Sequence, residues 1–169
     1  MIGADWVDFD REPRITGNSV DIGADEFSLT PKLATPAIVR VSTSGDDSKD
    51  GGSWANAKRT VQAAADAATL TGGEVWVQAG TYGERITLRH FVFLYGGFAG
   101  NETTREQRNW KVNSSILDGE QSGSVLSLDH LGNWNVVDGF VIRDGMSKEG
   151  AGIYCNYSPP KAYLRLAAL

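Results

Sequence analysis

The chain has 169 residues, a hydrophobic fraction of 41%, a charged fraction of 22% and a net charge of −5. That is length enough for one domain with a core, and the acidic balance argues against a nucleic-acid or anionic-membrane partner. The single cysteine, Cys155, excludes an internal disulfide and a cysteine-based zinc site, and no apolar run approaches the ~18 residues of a membrane span.

Taken in order, residues 1–27 lack the basic start and apolar stretch of a signal peptide, so the signal of an exported chain would lie upstream. The turn Thr16-Gly17-Asn18 leads into Ser19-Val20-Asp21-Ile22, a weak half-buried strand entered by a hairpin-like bend. The acidic residues around it lack the spacing and central glycine of an EF-hand loop, and are expected as solvated turn carboxylates. Residues 28–37 carry Pro31 and Pro36 without apolar periodicity and form the expected linker. Ile38-Val39-Arg40-Val41-Ser42 opens the next unit as a strand. It is followed by a flexible acidic loop holding Asp46, Asp47 and Asp50.

Residues 57–70 are expected as a helix. Val61, Ala64, Ala65 and Ala68 fall on one narrow apolar face, Ser53 or Asn56 can cap its start, and Gly72-Gly73 stops it. Its face is too small and its polar side insufficiently basic for a membrane surface, so it is a packing element laid across the first end of the strand-rich region. From Gly73 onward, short runs rich in Val, Ile, Leu, Phe, Tyr and Trp alternate with Gly, Asp and Asn turns. Tyr95-Gly96-Gly97-Phe98, Leu117-Asp118-Gly119-Glu120 and Val137-Asp138-Gly139-Phe140 align at a period near 20 residues, the mark of a parallel β-solenoid.

Gly52-Ser53-Trp54-Ala55-Asn56-Ala57, Gly73-Glu74-Val75-Trp76-Val77-Gln78-Ala79-Gly80-Thr81-Tyr82 and Leu94-Tyr95-Gly96-Gly97-Phe98 carry a resemblance. With Asn101–Trp110, Val136–Ile142 and Gly150–Tyr154, they resemble the amino-terminal coils of the pectate-lyase-like superfamily, in particular its large secreted and surface-displayed bacterial members. The resemblance covers roughly residues 38–158. It implies an all-β fold, a right-handed parallel β-helix of PbH1-type repeats with an N-terminal capping α-helix. Residues 1–27 resemble the closing segment of a preceding unit of the same kind. Residues 159–169 depart from the pattern as a leucine-alanine tail, which raises the expectation of a truncation or frame change near residue 159.

The chemistry is sparse. His90 and His130 have no second histidine at metal spacing, and Cys155 is expected as a buried inert thiol in an apolar strand. Asp118, Asp138 and Asp144 each precede a glycine, the common composition of a tight turn. The turn role is the first reading of all three; as the alternative, Asp118 and Asp138 could stack on consecutive coils with Arg143 nearby, which makes these four the catalytic candidates. Trp110 and Trp134, in polar loops, are the candidates for sugar contact, whereas Trp54 and Trp76 are expected to pack. The resulting expectation is a secreted or cell-surface scaffold, adhesive or in contact with extracellular polysaccharide or surface glycan, with no cofactor and no catalytic site evident in these residues. The alternative is the amino-terminal part of a polysaccharide lyase or glycoside hydrolase with its active coils missing. In such lyases, as the resemblance implies, acidic residues hold calcium against an acidic sugar and an arginine or lysine removes the proton. Glycosidases of that fold use paired carboxylates.

Overall fold

The computed structural model describes residues 15–16, 19–20, 37–70, 72–89, 91–129, 135–156 and 164–167. The chain divides into two units, Met1–Ala34 and Thr35–Leu169. In the first, β1 (Ile15–Thr16) and β2 (Ser19–Val20) pair antiparallel, Ile15 with Val20. The rest of residues 1–27 and most of the 28–37 linker lie outside the described residues.

The second unit begins with β3 (Ala37–Val41) and a 3₁₀ turn (Trp54–Asn56) in which the Ser53 hydroxyl accepts the Asn56 amide at 3.2 Å. Then comes α1 (Val61–Thr69), shorter than expected at its start. Residues 57–60 are held extended instead: Lys58 bridges Val41, and the Asp47 carboxylate accepts the amides of Arg59 and Thr60 at 2.8 and 2.9 Å. Thr60 is therefore the residue that caps α1, its hydroxyl accepting from the Ala63 amide, while Glu84 accepts from Val61 and Gln62 at 2.8 and 3.0 Å. The acidic loop is accordingly tied down, with Asp46 accepting from Ser48 and Asp50 from the Gly52 amide.

The remaining strands are β4 (Gly73–Gln78), β5 (Gly80–Gly83), β6 (Ile86–Leu88), β7 (Val92–Phe98), β8 (Ser115–Asp118), β9 (Leu126–Asp129), β10 (Asn135–Asp138), β11 (Phe140–Arg143), β12 (Ile153–Asn156) and β13 (Leu164–Ala167). With β3 they form three sheets, all parallel: β13-β10-β7-β4-β3, β11-β8-β5 and β12-β9-β6. Residues 164–167, expected as an unrelated tail, supply the strand beside β10. Alternation along the strands places Val39, Val41, Val75, Val77, Leu94 and Val137 in one core with Leu88, Leu117, Leu126, Leu128 and Phe140 from the other two sheets. Val61, Ala64, Ala65 and Ala68 enter the same cluster, with small side chains that let α1 lie close to β3, β4, β6 and β7. No helix among the described residues is long and apolar enough to cross a membrane.

The expected all-β, right-handed parallel β-helix with an N-terminal capping helix is corrected by these pairings. Across the first sheet Ile38 lies beside Glu74, Glu74 beside Phe93 and Phe93 beside Val136, separations of 36, 19 and 43 residues, so no uniform 20-residue coil exists. Nor do the three aligned glycines share a position. Gly96 and Gly97 sit in β7 and a Cβ on Gly96 would meet the carbonyl of Gly139, but Gly119 follows β8 in a different sheet. The described residues show three parallel sheets with one helix built into their shared core, in place of a solenoid of equal coils closed by a lid.

Candidate functional site

The outward face of the first sheet is set by the same alternation. Ile38 and Arg40 on β3, Glu74 and Trp76 on β4, and Phe93 and Tyr95 on β7 stand opposite the buried valines, in rows fixed by the register Arg40–Trp76–Tyr95. The indole of Trp76 stacks on Phe98 with centroids 4.8 Å apart and planes within 10°. The Arg40 guanidinium lies 5.1 Å from the Trp76 ring centroid, and Trp54 tilts against Phe98 at 5.7 Å. This stack is closed: Trp76 is 2% exposed.

The segment of residues 99–114 folds over that face. Its first turn is built on Glu102, whose carboxylate accepts the amides of Ala99, Gly100 and Asn101 at 2.6, 2.9 and 3.0 Å, while its carbonyl accepts Trp54 Nε1 at 2.9 Å. Desolvation pushes the Glu102 carboxyl up, but the amide bonds outweigh it and hold it below the ordinary carboxylate value. A depressed carboxyl contributes stability that is present above its unfolded pKa, about 4.3, and lost as pH falls through its folded value. The thermal midpoint of the wild type is therefore expected to fall over that acid range with a change in Trp54 fluorescence. Glu102→Gln should remove that component of the pH dependence; an unchanged acid profile would count against it.

Further along, Arg105 donates to Glu74 at 2.7 Å and to the Tyr95 hydroxyl at 3.1 Å, with its guanidinium 4.8 Å from the Tyr95 ring centroid. Glu74 also accepts Trp76 Nε1 at 2.7 Å. Burial pulls Arg105 down, but Glu74, Tyr95 and Glu106 outweigh it and hold the guanidinium above its ordinary value. Burial raises the Tyr95 phenol. Between the Arg105–Glu74 pair and Ile38, Trp76, Thr103 and Thr104 lies a cleft of about 290 Å³.

The structure brings some of the sequence candidates together and separates others. Asp118, at the end of β8, faces Arg143 on β11 in register, and Arg143 donates through Nε at 2.9 Å and pairs at 2.8 Å with the same carboxylate oxygen. The other oxygen accepts the Glu120 amide at 3.0 Å. That amide bond first, and then Arg143, hold the Asp118 carboxyl below its usual value. Asp144, with φ +53°, has its carboxylate 3.5 Å from Arg143. Asp138 does not join them, and its expected stacking on Asp118 is overturned: it ends β10, in the first sheet, and pairs with Arg108 at 3.0 Å.

Trp110 is 40% exposed, with Lys111 Nζ 5.3 Å from its ring centroid. Its backbone is packed on Gly97 (φ +95°), where a Cβ would stand 2.6 Å from the Trp110 Cα, so only glycine allows the loop to seat there. Trp134, His90 and His130 lie outside the described residues. Cys155, expected to be buried, is exposed on β12: it shares a register with buried Leu128, but among the described residues β12 is the outermost strand of its sheet. Among the described residues, no group of three or more His, Cys, Asp or Glu side chains is gathered as metal ligands would be.

Sequence reasoning does not single out Arg105, Arg108 or Glu74. A signal for Glu74 is present in the alternation of β4; for the arginines, which meet the sheet from a loop, no periodicity points to them. Comparison with protein-family models, with curated proteins and with solved structures finds no match.

Proposed function

We propose that this chain is a secreted or cell-surface scaffold that contacts extracellular glycan without catalysing a reaction on it, and that the contact is made by the loop of residues 99–114. The observation that carries this reading is Trp110. A large indole held 40% exposed on a loop seated against Gly97 gives up little conformational freedom when a sugar ring lies on it, and the Lys111 ammonium lies over the same ring, a donor that a sugar seated there shares or displaces. A cleft elsewhere on the same loop, at Thr103, Thr104 and Arg105, offers polar groups; at about 290 Å³ it is just under the size range of small-molecule sites, roughly 300–1,000 Å³. The resemblance of residues 38–158 to secreted members of the pectate-lyase-like superfamily supports the extracellular setting.

The lyase or hydrolase alternative would draw on Asp118, Arg143 and Asp144. Both oxygens of Asp118 are engaged, one by the Glu120 amide and one by Arg143, an arrangement suited to joining β8 to β11 and its following turn. Native gels cast with a panel of neutral and acidic polysaccharides test the scaffold reading. The wild type should be retarded by at least one polymer, and Trp110→Ala should weaken that retardation by roughly tenfold in affinity, about 1.4 kcal/mol, with the fold intact by circular dichroism. No retardation by any polymer, equal retardation of the variant, or turnover of a polymer that Arg143→Ala abolishes would each defeat it.

A further inference from the structure

A second cleft, of about 250 Å³, lies where the loop after β3, the start of α1 and the β5–β6 turn meet, and is lined by Thr43, Arg59, Thr60, Thr81, Tyr82 and Glu84 among others. Most of its polar groups are spoken for. The Tyr82 hydroxyl donates to the Gln78 carbonyl at 3.0 Å; Thr60 donates to Asp47 at 2.9 Å and accepts from Ala63. The amides at the start of α1 are likewise already taken by Asp47 and Glu84, so the helix end itself offers nothing to a ligand.

Two charged groups are left without an opposite charge. The exposed Arg59 guanidinium makes no ion pair or hydrogen bond among the described residues, and the half-buried Glu84 carboxylate, although it accepts two amides, faces no cation. They line one cleft and do not pair with each other. Burial raises the Glu84 carboxyl despite its amide bonds, and the nearby Asp47 raises it further, as expected of a carboxylate whose desolvation is only partly offset. The exposed Thr43 and Thr81 hydroxyls complete the lining.

An anion and a cation that line one small polar cleft without pairing are complementary to a ligand bearing both charges in the opposite sense. We propose that this cleft is a binding site for a small zwitterion of the α-amino-acid class, its carboxylate against Arg59 and its ammonium against Glu84, with Thr43 and Thr81 available to a hydroxyl. The site is separate from the Trp110 loop and does not depend on glycan contact there.

The test is a titration of the full chain with L-serine followed by amide and arginine side-chain NMR. N-acetyl-L-serine and L-serinamide, which each keep one charge, and glucose, a neutral polyol, serve as controls. Saturable shifts confined to Arg59, Thr43, Thr81 and Glu84 are expected with L-serine, with roughly tenfold weaker binding of either single-charge analogue, equivalent to about 1.4 kcal/mol for each lost charge contact. Arg59→Ala, a change at an exposed side chain, should weaken L-serine by a similar factor with an unchanged unfolding midpoint, and Arg59→Lys should recover part of it. The absence of saturable shifts, equal binding of L-serine and L-serinamide, glucose binding at these residues, or full binding by Arg59→Ala would each overturn the proposal.

Discussion

Trp76→Ala is expected to lower the thermal midpoint of this protein by about 10–15 °C. Replacing a fully buried aromatic with alanine costs about 3–5 kcal/mol through lost burial and the cavity left behind, and each kcal/mol corresponds to roughly 2–4 °C in a chain of this size. Three further contacts go with it. Phe98 loses its stacking partner at 4.8 Å, Arg40 loses the ring beneath its guanidinium, and Glu74 loses the indole N–H at 2.7 Å. Arg40 is the sensitive member, because its Nε is already buried without a hydrogen-bond partner. Trp76→Phe keeps a ring on Phe98 and should recover about half of the loss. A midpoint within about 2 °C of wild type for Trp76→Ala would mean that this face is not packed as described.

How much of this is legible in the sequence depends on whether a residue acts within its own strand or across elements. The inward valines of β3 and β4, and the Val61-Ala64-Ala65-Ala68 face of α1, come from periods of two and 3.6 residues, which the chain enforces locally. The start of α1 is only half legible: its cap Thr60 stands next to the first apolar position, but the carboxylates of Asp47 and Glu84, which hold the amides of residues 59–62, arrive from far away in sequence. The assignment of strands to sheets is hidden for a related reason. An Asp-Gly pair has the same local meaning after β8 as after β10, so Asp118 and Asp138 look equivalent, and only the pairing of β8 with β5 and of β10 with β7 places them in different sheets. The uniform coil drawn from their glycines fails on the long segments between paired strands, which no turn motif measures. Trp110 is visible as an indole in a polar loop; that its loop is seated on Gly97 is not.

The two arginine–aspartate pairs make that difference measurable. Arg108 and Asp138 have side chains only 14% and 10% exposed, and Arg108 also donates to the carbonyls of Gly96 at 3.1 Å and of Asp138 itself at 3.4 Å. The guanidinium thus joins the loop to the ends of β7 and β10, and Arg108→Ala strands the Asp138 carboxylate in a place water reaches poorly. Breaking a buried pair from one side costs about 3–5 kcal/mol, most of it the penalty of the charge left behind. A loss near the lower end is expected here, a fall in midpoint of roughly 6–12 °C. Asp138→Asn in the Arg108→Ala background removes the stranded charge and should restore part of the loss, so the double variant is more stable than the sum of the singles by about 1–3 kcal/mol. Arg143→Ala, by contrast, removes a half-exposed partner of Asp118, whose attraction water and salt already screen, and should leave the midpoint nearly unchanged. If instead Arg108→Ala were silent and Arg143→Ala strongly destabilising, the carboxylate held in a rigid ion pair would be Asp118. Asp138 would then be the one free to meet a ligand.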